Sequence, residues 1–428
     1  MTTVRAREPA AVSARRARLR ELRLESLWLW PAVAAIGAWV AGALASRHLT
    51  SFVLHQGLFP TNLDDSRTLL ATIAAALLTF TGVVFSITLV ALQMASTQYS
   101  PRVLRTFMRK PITKLALSTF IATFVYSMTL LASVGSNHAQ TVASGAVALA
   151  FLLVLASVLV FVVFVHSTVR SMRVSYLVEA VFHETLGSVR HTYLRASAYR
   201  DAPEPSFQPT PAVLRFDHKD AVLDGLDTRA LVALARRYSC VLRVRVPVGT
   251  FLTRGSGLFE VHGGHSPRDT EVLAALHSSP VRTLYQDPTY GVRQLVDVGC
   301  RALSRAVNDP TTAVQVLDRL HALMRVVAER PDPSGAYVDD AGEVRLVVPS
   351  PGWDRLIDLA FTEIALFGSG SPQITRKLMA IYDDLAGLAP EERQGAVARQ
   401  RDWLSAEVAQ QHRLPVGLVL TPDPLGLG

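Results

Sequence analysis

Four long apolar windows, none of which contains an ionisable residue, constrain the fold of this 428-residue chain more than any other feature. A helix needs about 20 apolar residues to cross the roughly 30 Å hydrocarbon core of a bilayer. The windows 27–45, 69–93, 115–134 and 142–165 have about this length and contain no Asp, Glu, Lys, Arg or His. We therefore predict an α-helical integral membrane protein with four transmembrane helices, in a membrane domain that spans 27–166.

The distribution of basic residues between the windows predicts the orientation, because Lys and Arg concentrate in short cytoplasmic flanks. Seven arginines lie within residues 1–26, and five Lys or Arg residues lie between the second and third windows. The first connection has only Arg47 and Arg67, and the connection 135–141 has no Lys or Arg. Both termini are therefore expected in the cytoplasm, in a multi-pass protein of a bacterial cytoplasmic (inner) membrane. Residues 43–45 resemble a signal-peptidase site, but the length of the first window favours a retained helix.

A short segment after the second window has the pattern of a helix that lies on the inner membrane surface. In residues 101–110 apolar side chains are interleaved with basic ones, which favours contact with anionic lipid. The predicted lipid-contact residues are Arg102, Arg105, Arg109 and Lys110. We attribute the net charge of +8 to this partner, the bilayer with its anionic inner leaflet, and not to nucleic acid.

Beyond the fourth window the chain is expected to form a C-terminal cytoplasmic domain that combines an α/β part with a helical part. A helical extension, 167–200, leads into a linker, 201–211, that contains four prolines. An α/β subdomain is predicted at 212–265, where strand-like alternation follows a capped helix, and a mainly helical subdomain at 266–412. Residues 413–428 have no periodicity and are predicted to be a tail.

The motifs of common enzyme and metal sites do not occur in the sequence. It contains no HExxH, no CxxC, no Walker loop and no GxGxxG, and only four lysines could serve a P-loop or a Schiff base. Both cysteines, Cys240 and Cys300, fall in the expected cytoplasmic part and are predicted to be reduced and structural. We therefore expect no catalytic activity, no cofactor and no bound metal.

The second window carries a polar or small residue on one helical face every two turns. Seven residues bring a helix almost back to the same face, and the stripe consists of Thr72, Thr79, Gly82, Ser86 and Gln93. Small and hydroxyl residues favour close packing of membrane helices, but several copies could also turn this face towards a water-filled path. The sequence leaves both interpretations open. Because the windows lack the carboxylate or His that coupled transporters use, passive conduction is favoured over pumping.

The densest polar segment of the cytoplasmic part lies at 282–313. Arg293, Asp297 and Arg301 are spaced four apart, as in helical ion pairs, and a structural salt-bridge network that joins two helices is one interpretation. The other is a ligand or subunit-contact site, in which arginines face an anion near a capped helix terminus. The predicted contact residues are Arg282, Gln286, Asp287, Arg293, Asp297, Arg301, Asn308 and Asp309.

Several segments together resemble a known family. They are RTLYQDPTYGVRQLVDVGCRALSRAVNDPTTA at 282–313, TNLDDSRTLLATIAAALLTFTGVVFSITLVALQMASTQYSPRVLRTFMRK at 61–110, VLRVRVPVGTFLTRGSGLFEV at 241–261 and RLIDLAFTEIALFGSGSP at 355–372. These segments resemble the bacterial membrane-protein family catalogued as domain of unknown function 2254, over residues 24–385. The chain departs from it at Arg305-Ala306, where the family more often has Pro-Gly. The resemblance implies a four-span inner-membrane protein with a large cytoplasmic domain, and it brings no reaction, substrate or catalytic residue.

Two functional hypotheses follow from these patterns. In the first, the protein is a homo-oligomeric channel that conducts small ions or solutes passively, with the second transmembrane helix lining the path and the cytoplasmic domain assembling or gating it. In the second, it is a membrane-anchored sensor or scaffold whose cytoplasmic domain binds a partner or an anionic ligand. Neither hypothesis requires catalysis.

Overall fold

A computed structural model describes residues 28–48, 63–98, 111–136, 144–196, 212–284 and 286–411. The chain divides into two compact units, residues 1–173 and residues 174–428, and each is described by itself. The predicted N-terminal tail, surface helix (101–110), linker (201–211) and C-terminal tail lie outside the described residues.

The first unit consists of apolar helices. They are α1 (Leu29–His48), α2 (Leu63–Gln98), α3 (Pro111–Ser136) and α4 (Ser144–Ser171). The last three contain segments long and apolar enough to cross a membrane, whereas the apolar segment of α1, Leu29–Ala45, is shorter. The prediction of a helical membrane protein is confirmed, and the fourth span and the location of the termini stay predictions.

Helix α3 lies at the centre of the first unit, because it packs against α1, α2 and α4. Phe80 of α2, Phe120 of α3 and Phe161 of α4 form an aromatic cluster whose ring centroids lie between 5.1 and 6.4 Å apart. At Gly42, α1 approaches α3 so closely that an added Cβ would lie 2.9 Å from the Cβ of Thr129. Aromatic packing and a small-residue crossing, both typical of membrane helix bundles, therefore hold this unit together.

The second unit contains two small β-sheets. Its strands are β1 (Ala212–Arg215), β2 (Ala221–Leu226), β3 (Val241–Val244), β4 (Phe251–Leu252), β5 (Gly257–His262), β6 (Leu276–Ser279), β7 (Ala336–Val338) and β8 (Val344–Val347). One sheet has the order β1-β5-β3-β8-β7 and the other β4-β2-β6. Leu242, Phe259 and Leu346 are fully buried in the core of this part, next to the short helices α6 (Thr228–Arg237) and α7 (Asp269–Leu273).

Strand β8 pairs in parallel with β3, through Leu242 opposite Leu346, and the other pairings are antiparallel. Strands β7 and β8 belong to the segment predicted to be mainly helical, so the larger sheet takes strands from both predicted subdomains. The short strand pair expected around 336–348 is present, but its sheet partner is distant in the sequence.

The remainder of the second unit is helical. Its helices are α5 (Val174–Ala196), α8 (Pro288–Ala302), α9 (Pro310–Ala328), α10 (Trp353–Gly368), α11 (Pro372–Leu388) and α12 (Glu391–Gln411). Helix α8 packs against α5, α9 and α10. Gly291 permits the crossing of α5 and α8, because a Cβ there would lie 1.9 Å from the Oγ1 atom of Thr185. The predicted helical extension corresponds to the end of α4 and to α5.

Candidate functional site

Most of the polar stripe of α2 lies away from the other described helices of its unit; Thr72 lines a groove together with Phe151 and Ser157 of α4. Thr72, Thr79, Gly82, Ser86 and Gln93 are all exposed. The opposite face, with Ile73, Leu77 and Val84 at most 7% exposed, forms the contact with the rest of the bundle. Apart from Thr72, the stripe is therefore not used for packing within the described part of one chain.

Two hydroxyl groups of the stripe bond to the backbone of their own helix. Thr72 Oγ1 donates to the carbonyl oxygen of Thr68 at 2.7 Å, and Thr79 Oγ1 donates to that of Ala75 at 3.1 Å. Each hydroxyl oxygen keeps acceptor capacity. These two hydroxyl groups can lie in an apolar environment, since their donors are satisfied, and they can still offer oxygen atoms to water or to a passing cation.

Polar contacts between helices of the first unit occur in α3 and α4, which the sequence analysis did not single out. Thr123 and Ser157 are buried, and their hydroxyl oxygens lie 3.2 Å apart. The Tyr126 hydroxyl donates to the carbonyl oxygen of Ala146 at 3.2 Å. A signal was available, because Thr119, Thr123 and Ser127 recur every four residues in the third window.

The predicted cytoplasmic contact residues fall into three groups, each with its own partners. The first surrounds the start of α8. Arg282 Nε donates to Asp287 Oδ2 at 2.5 Å and Arg282 Nη2 donates to Thr289 Oγ1 at 2.7 Å. Asp287 is buried and caps α8 by accepting from the backbone N–H of Tyr290. Asp287 therefore both caps α8 and forms a charge-assisted hydrogen bond with the Arg282 guanidinium.

Next to this group, a buried polar contact joins the start of α8 to β2. Gln286 both accepts from the backbone N–H of Leu226 and donates to its carbonyl oxygen. Thr283 donates to Asp224 Oδ1 at 2.6 Å. Burial raises the pKa of Asp224 above its usual value of 3.8, although the bond from Thr283 opposes the shift.

The second group connects α8 to α10. Arg293 donates to both carboxylate oxygens of Glu363 and, through Nε, to Asp297 at 2.9 Å. The bond to Glu363 raises the pKa of the Arg293 guanidinium. This arrangement is a salt-bridge network that joins two helices, as one of the two interpretations of the sequence proposed.

The third group lies at the start of α9. Asp309 caps this helix by accepting from the backbone N–H and the hydroxyl of Thr312, at 3.0 and 2.6 Å. Asn308 precedes it with a positive φ of 47°, and Arg301 is exposed. Among the described residues, Arg282 and Arg293 have different partners, so an anion site shared by these two and Arg301 stays a prediction.

The second unit contains a half-open cavity of about 320 Å³ beside the first group. Arg282, Gln286, Asp287 and residues of β2, the β3–β4 turn and the β7–β8 region line it. Sequence reasoning missed its other polar lining, because Thr192 and Arg355 come from helices far from 282–313 in the sequence. Within the described ranges, no group of three or more His, Cys, Asp or Glu side chains is placed to hold a metal ion.

Comparisons with known proteins complete this description. Residues 24–384 match the family described as "Predicted membrane protein (DUF2254)". An uncharacterized protein of Mycobacterium tuberculosis and one of Mycobacterium bovis are each 32% identical to the chain over 341 residues. The alignment covers 75% of this chain and 64% of each relative, so the chain spans less than two thirds of the length of these relatives. No solved structure matches the chain.

Proposed function

The chain belongs to the DUF2254 family of predicted membrane proteins, and from this premise we propose that it forms a homo-oligomeric channel that conducts small ions or solutes passively. The membrane is the bacterial inner membrane, both termini are cytoplasmic, and α1 completes four spans. Helix α2 lines the path, and the second unit, in the cytoplasm, assembles or gates it. Anionic lipid of the inner leaflet contacts the basic segment 101–110, and the protein has no catalytic role.

The observation that carries this proposal is the outward exposure of the polar stripe. All five stripe residues are exposed, while Ile73, Leu77 and Val84 of the same helix are buried in the bundle. A single chain therefore leaves a small, polar stripe for another copy or for water, on an exposed surface that also includes the bulky Leu78, Phe85 and Leu89. Several copies related by rotational symmetry would bring these faces to a common axis.

The chemistry of the stripe favours passive movement. The described spanning segments contain no ionisable side chain at mid-membrane, where coupled transporters place a carboxylate or a histidine. Hydroxyl groups and the amide of Gln93 can contact hydrated ions of either sign. Conduction without coupling to protons is therefore the mode that this lining supports.

Single-channel recording of the purified protein in planar bilayers tests the proposal. Discrete currents are expected, and Ser86→Phe should abolish them while size-exclusion chromatography shows an unchanged assembly. Leu78→Phe is the matched control, because Leu78 is exposed on the same helix, about 80° around from Ser86, and this variant should conduct. Silence of folded, inserted protein across salts, voltages and pH values would contradict the proposal.

A second function is favoured by the cavity of the second unit, namely a membrane-anchored sensor or scaffold that binds an anionic ligand or a partner. In that case the α2 stripe only packs copies together. Ser86→Phe and Thr79→Phe would then disrupt assembly instead of blocking a flux. If Arg293→Ala and Arg301→Ala left every ligand-dependent change intact, the broader contact site at 282–313 would be excluded.

A further inference from the structure

The cavity of the second unit has the size and rigidity of a preformed ligand site. Its volume of about 320 Å³ lies at the lower end of the roughly 300–1,000 Å³ of small-molecule sites. Five prolines line it, and they fix the local backbone. They are Pro247, Pro288, Pro333, Pro349 and Pro351. A wall of this kind loses little entropy when a ligand binds.

Close backbone approaches hold the two sides of the cavity in place. Gly249 has a φ of +91°, and a Cβ there would lie 2.2 Å from Asp287 Oδ2 and 2.4 Å from Arg282 Nε. Gly335 has a φ of +68°, and its Cβ would lie 2.0 Å from the carbonyl oxygen of Val348. The turn that carries Gly249 therefore rests directly on the ion pair of the cavity wall.

Among the charged residues that line the cavity, the arginines keep hydrogen-bond donors for a ligand, whereas the carboxylate is already bonded within the protein. Asp287 is the only carboxylate among the described lining residues, and its side chain is 3% exposed and bonded to Arg282, Thr289 and the N–H of Tyr290. Within the described structure, Arg282 Nη1 has no protein acceptor. Arg355 is exposed, and no hydrogen bond or ion pair joins it to another described residue.

Hydroxyl groups line the same cavity as these two guanidinium groups. The lining includes Thr192, Thr228, Thr250, Thr289, Ser334 and Ser350. A planar carboxylate offers two oxygens, whereas a phosphate monoester offers three terminal oxygens that accept from several directions. Thr289 donates to Asp287 and Thr250 donates to the carbonyl oxygen of Pro247, so the hydroxyl donors left for a ligand are Thr192, Thr228, Ser334 and Ser350. Together with the two guanidinium groups these donors match a phosphate better than a carboxylate, and the volume leaves room for an organic group.

We propose that this cavity binds a small organic phosphate monoester, with its phosphate held by Arg282 and Arg355. Asp287 positions Arg282 by fixing the plane of its guanidinium, and the proline walls contact the organic part. This inference goes beyond the proposed channel function and does not depend on it, since binding can be measured without conduction.

Isothermal titration calorimetry on the detergent-solubilised full chain tests the proposal, with AMP, glucose 6-phosphate and glycerol 3-phosphate as probes and adenosine as the uncharged comparison. At least one monoester should bind saturably, and more tightly than inorganic phosphate. Arg355→Ala should weaken that binding roughly ten- to hundredfold, the range of a lost charged hydrogen bond. Arg305→Ala is the matched control, because Arg305 is exposed and lies outside the cavity lining.

Ser350→Phe, which adds a bulky side chain to the cavity lining and leaves both arginines in the sequence, should also abolish binding of the monoester. Three results would overturn the proposal: no saturable binding of any monoester by folded protein, binding that Arg355→Ala and Ser350→Phe both leave unchanged, or inorganic phosphate as the tightest ligand. Each of these outcomes leaves the single-channel experiment unaffected, so the two proposals can fail separately.

Discussion

Gly249 and Gly255 allow two effects of a substitution to be measured apart: the strain of a left-handed backbone and the steric contact of an added Cβ. Both have a left-handed backbone, with φ values of +91° and +86°, but an added Cβ meets the Arg282–Asp287 pair at Gly249 and nothing within 4 Å at Gly255. Alanine at either position should cost about 1–2 kcal/mol for the backbone conformation. Gly249→Ala should cost roughly 2 kcal/mol more, because it displaces a buried ion pair. Thermal unfolding of the two variants measures the difference, and equal losses would show that the close contact contributes nothing.

Asp224 gives a pH dependence whose sign can be worked out. Burial raises its pKa above 3.8, with Thr283 and His277 opposing the shift. A carboxyl with a raised pKa binds more protons in the folded than in the unfolded state, so its contribution to stability falls as the pH rises above 3.8. At neutral pH the charged, partly buried carboxylate therefore destabilises the fold.

Asp224→Asn should raise the Tm at pH 7.5 by roughly 1–3 °C, because the amide keeps an acceptor for Thr283 without the buried charge. The gain should disappear near pH 3.5. Asp340→Asn is the control, since the side chain of Asp340 is 95% exposed, and it should change the Tm little at either pH. A lower Tm for Asp224→Asn at neutral pH would contradict the assignment.

Among the helices, the crossing of α1 and α3 offers a matched pair of glycines on one helix. A Cβ at Gly42 would lie 2.9 Å from Thr129, whereas a Cβ at Gly37 meets nothing within 4 Å. Gly42→Leu should therefore separate α1 from α3 and lower the Tm in detergent by several degrees, because small residues set the distance between membrane helices. Gly37→Leu should leave the Tm nearly unchanged. Equal effects would mean that α1 does not depend on this contact.

The helices of the first unit could be predicted because their signal is local. An apolar window without charges predicts a helix whatever it packs against, and the bulky face of α2, with Leu77 and Val84, is the face that is buried. The capped starts of α8 and α9 were equally visible, since Asp287-Pro288 and Asp309-Pro310 combine a cap with a proline in the first turn.

The contacts between distant segments could not be predicted. The parallel pairing of Leu242 with Leu346 and the partner of Arg293, Glu363 on α10, depend on tertiary structure that no periodicity encodes. The cavity is the clearest case, because Thr192 on α5, Arg282 in the loop before α8 and Arg355 on α10 reach it from three separate segments. Of these three residues only Arg282 stood out in the sequence, as one of the arginines predicted to face an anion.

In the assembled protein, the α2 stripe can be probed with engineered cysteines, because the two native cysteines are expected to react slowly with thiol reagents. Thiol reagents attack the thiolate, so a raised pKa suppresses reactivity. Burial raises the pKa of Cys240, and burial together with Glu363 raises the pKa of Cys300 to about 12. The two native thiols should therefore react slowly at pH 7.5 and give a low background.

On this background, a charged methanethiosulfonate reagent should modify Ser86→Cys in native membranes and block its current, because the proposed path contains water. Leu78→Cys, on the exposed side of α2 but off the stripe, should be protected by lipid. If Ser86→Cys instead resists the reagent and forms disulfide-linked dimers under mild oxidation, the stripe packs copies against each other and the channel proposal fails. If Ser86→Cys neither reacts nor cross-links, the stripe faces lipid in the assembled protein. It would then neither line a water-filled path nor form a contact between copies.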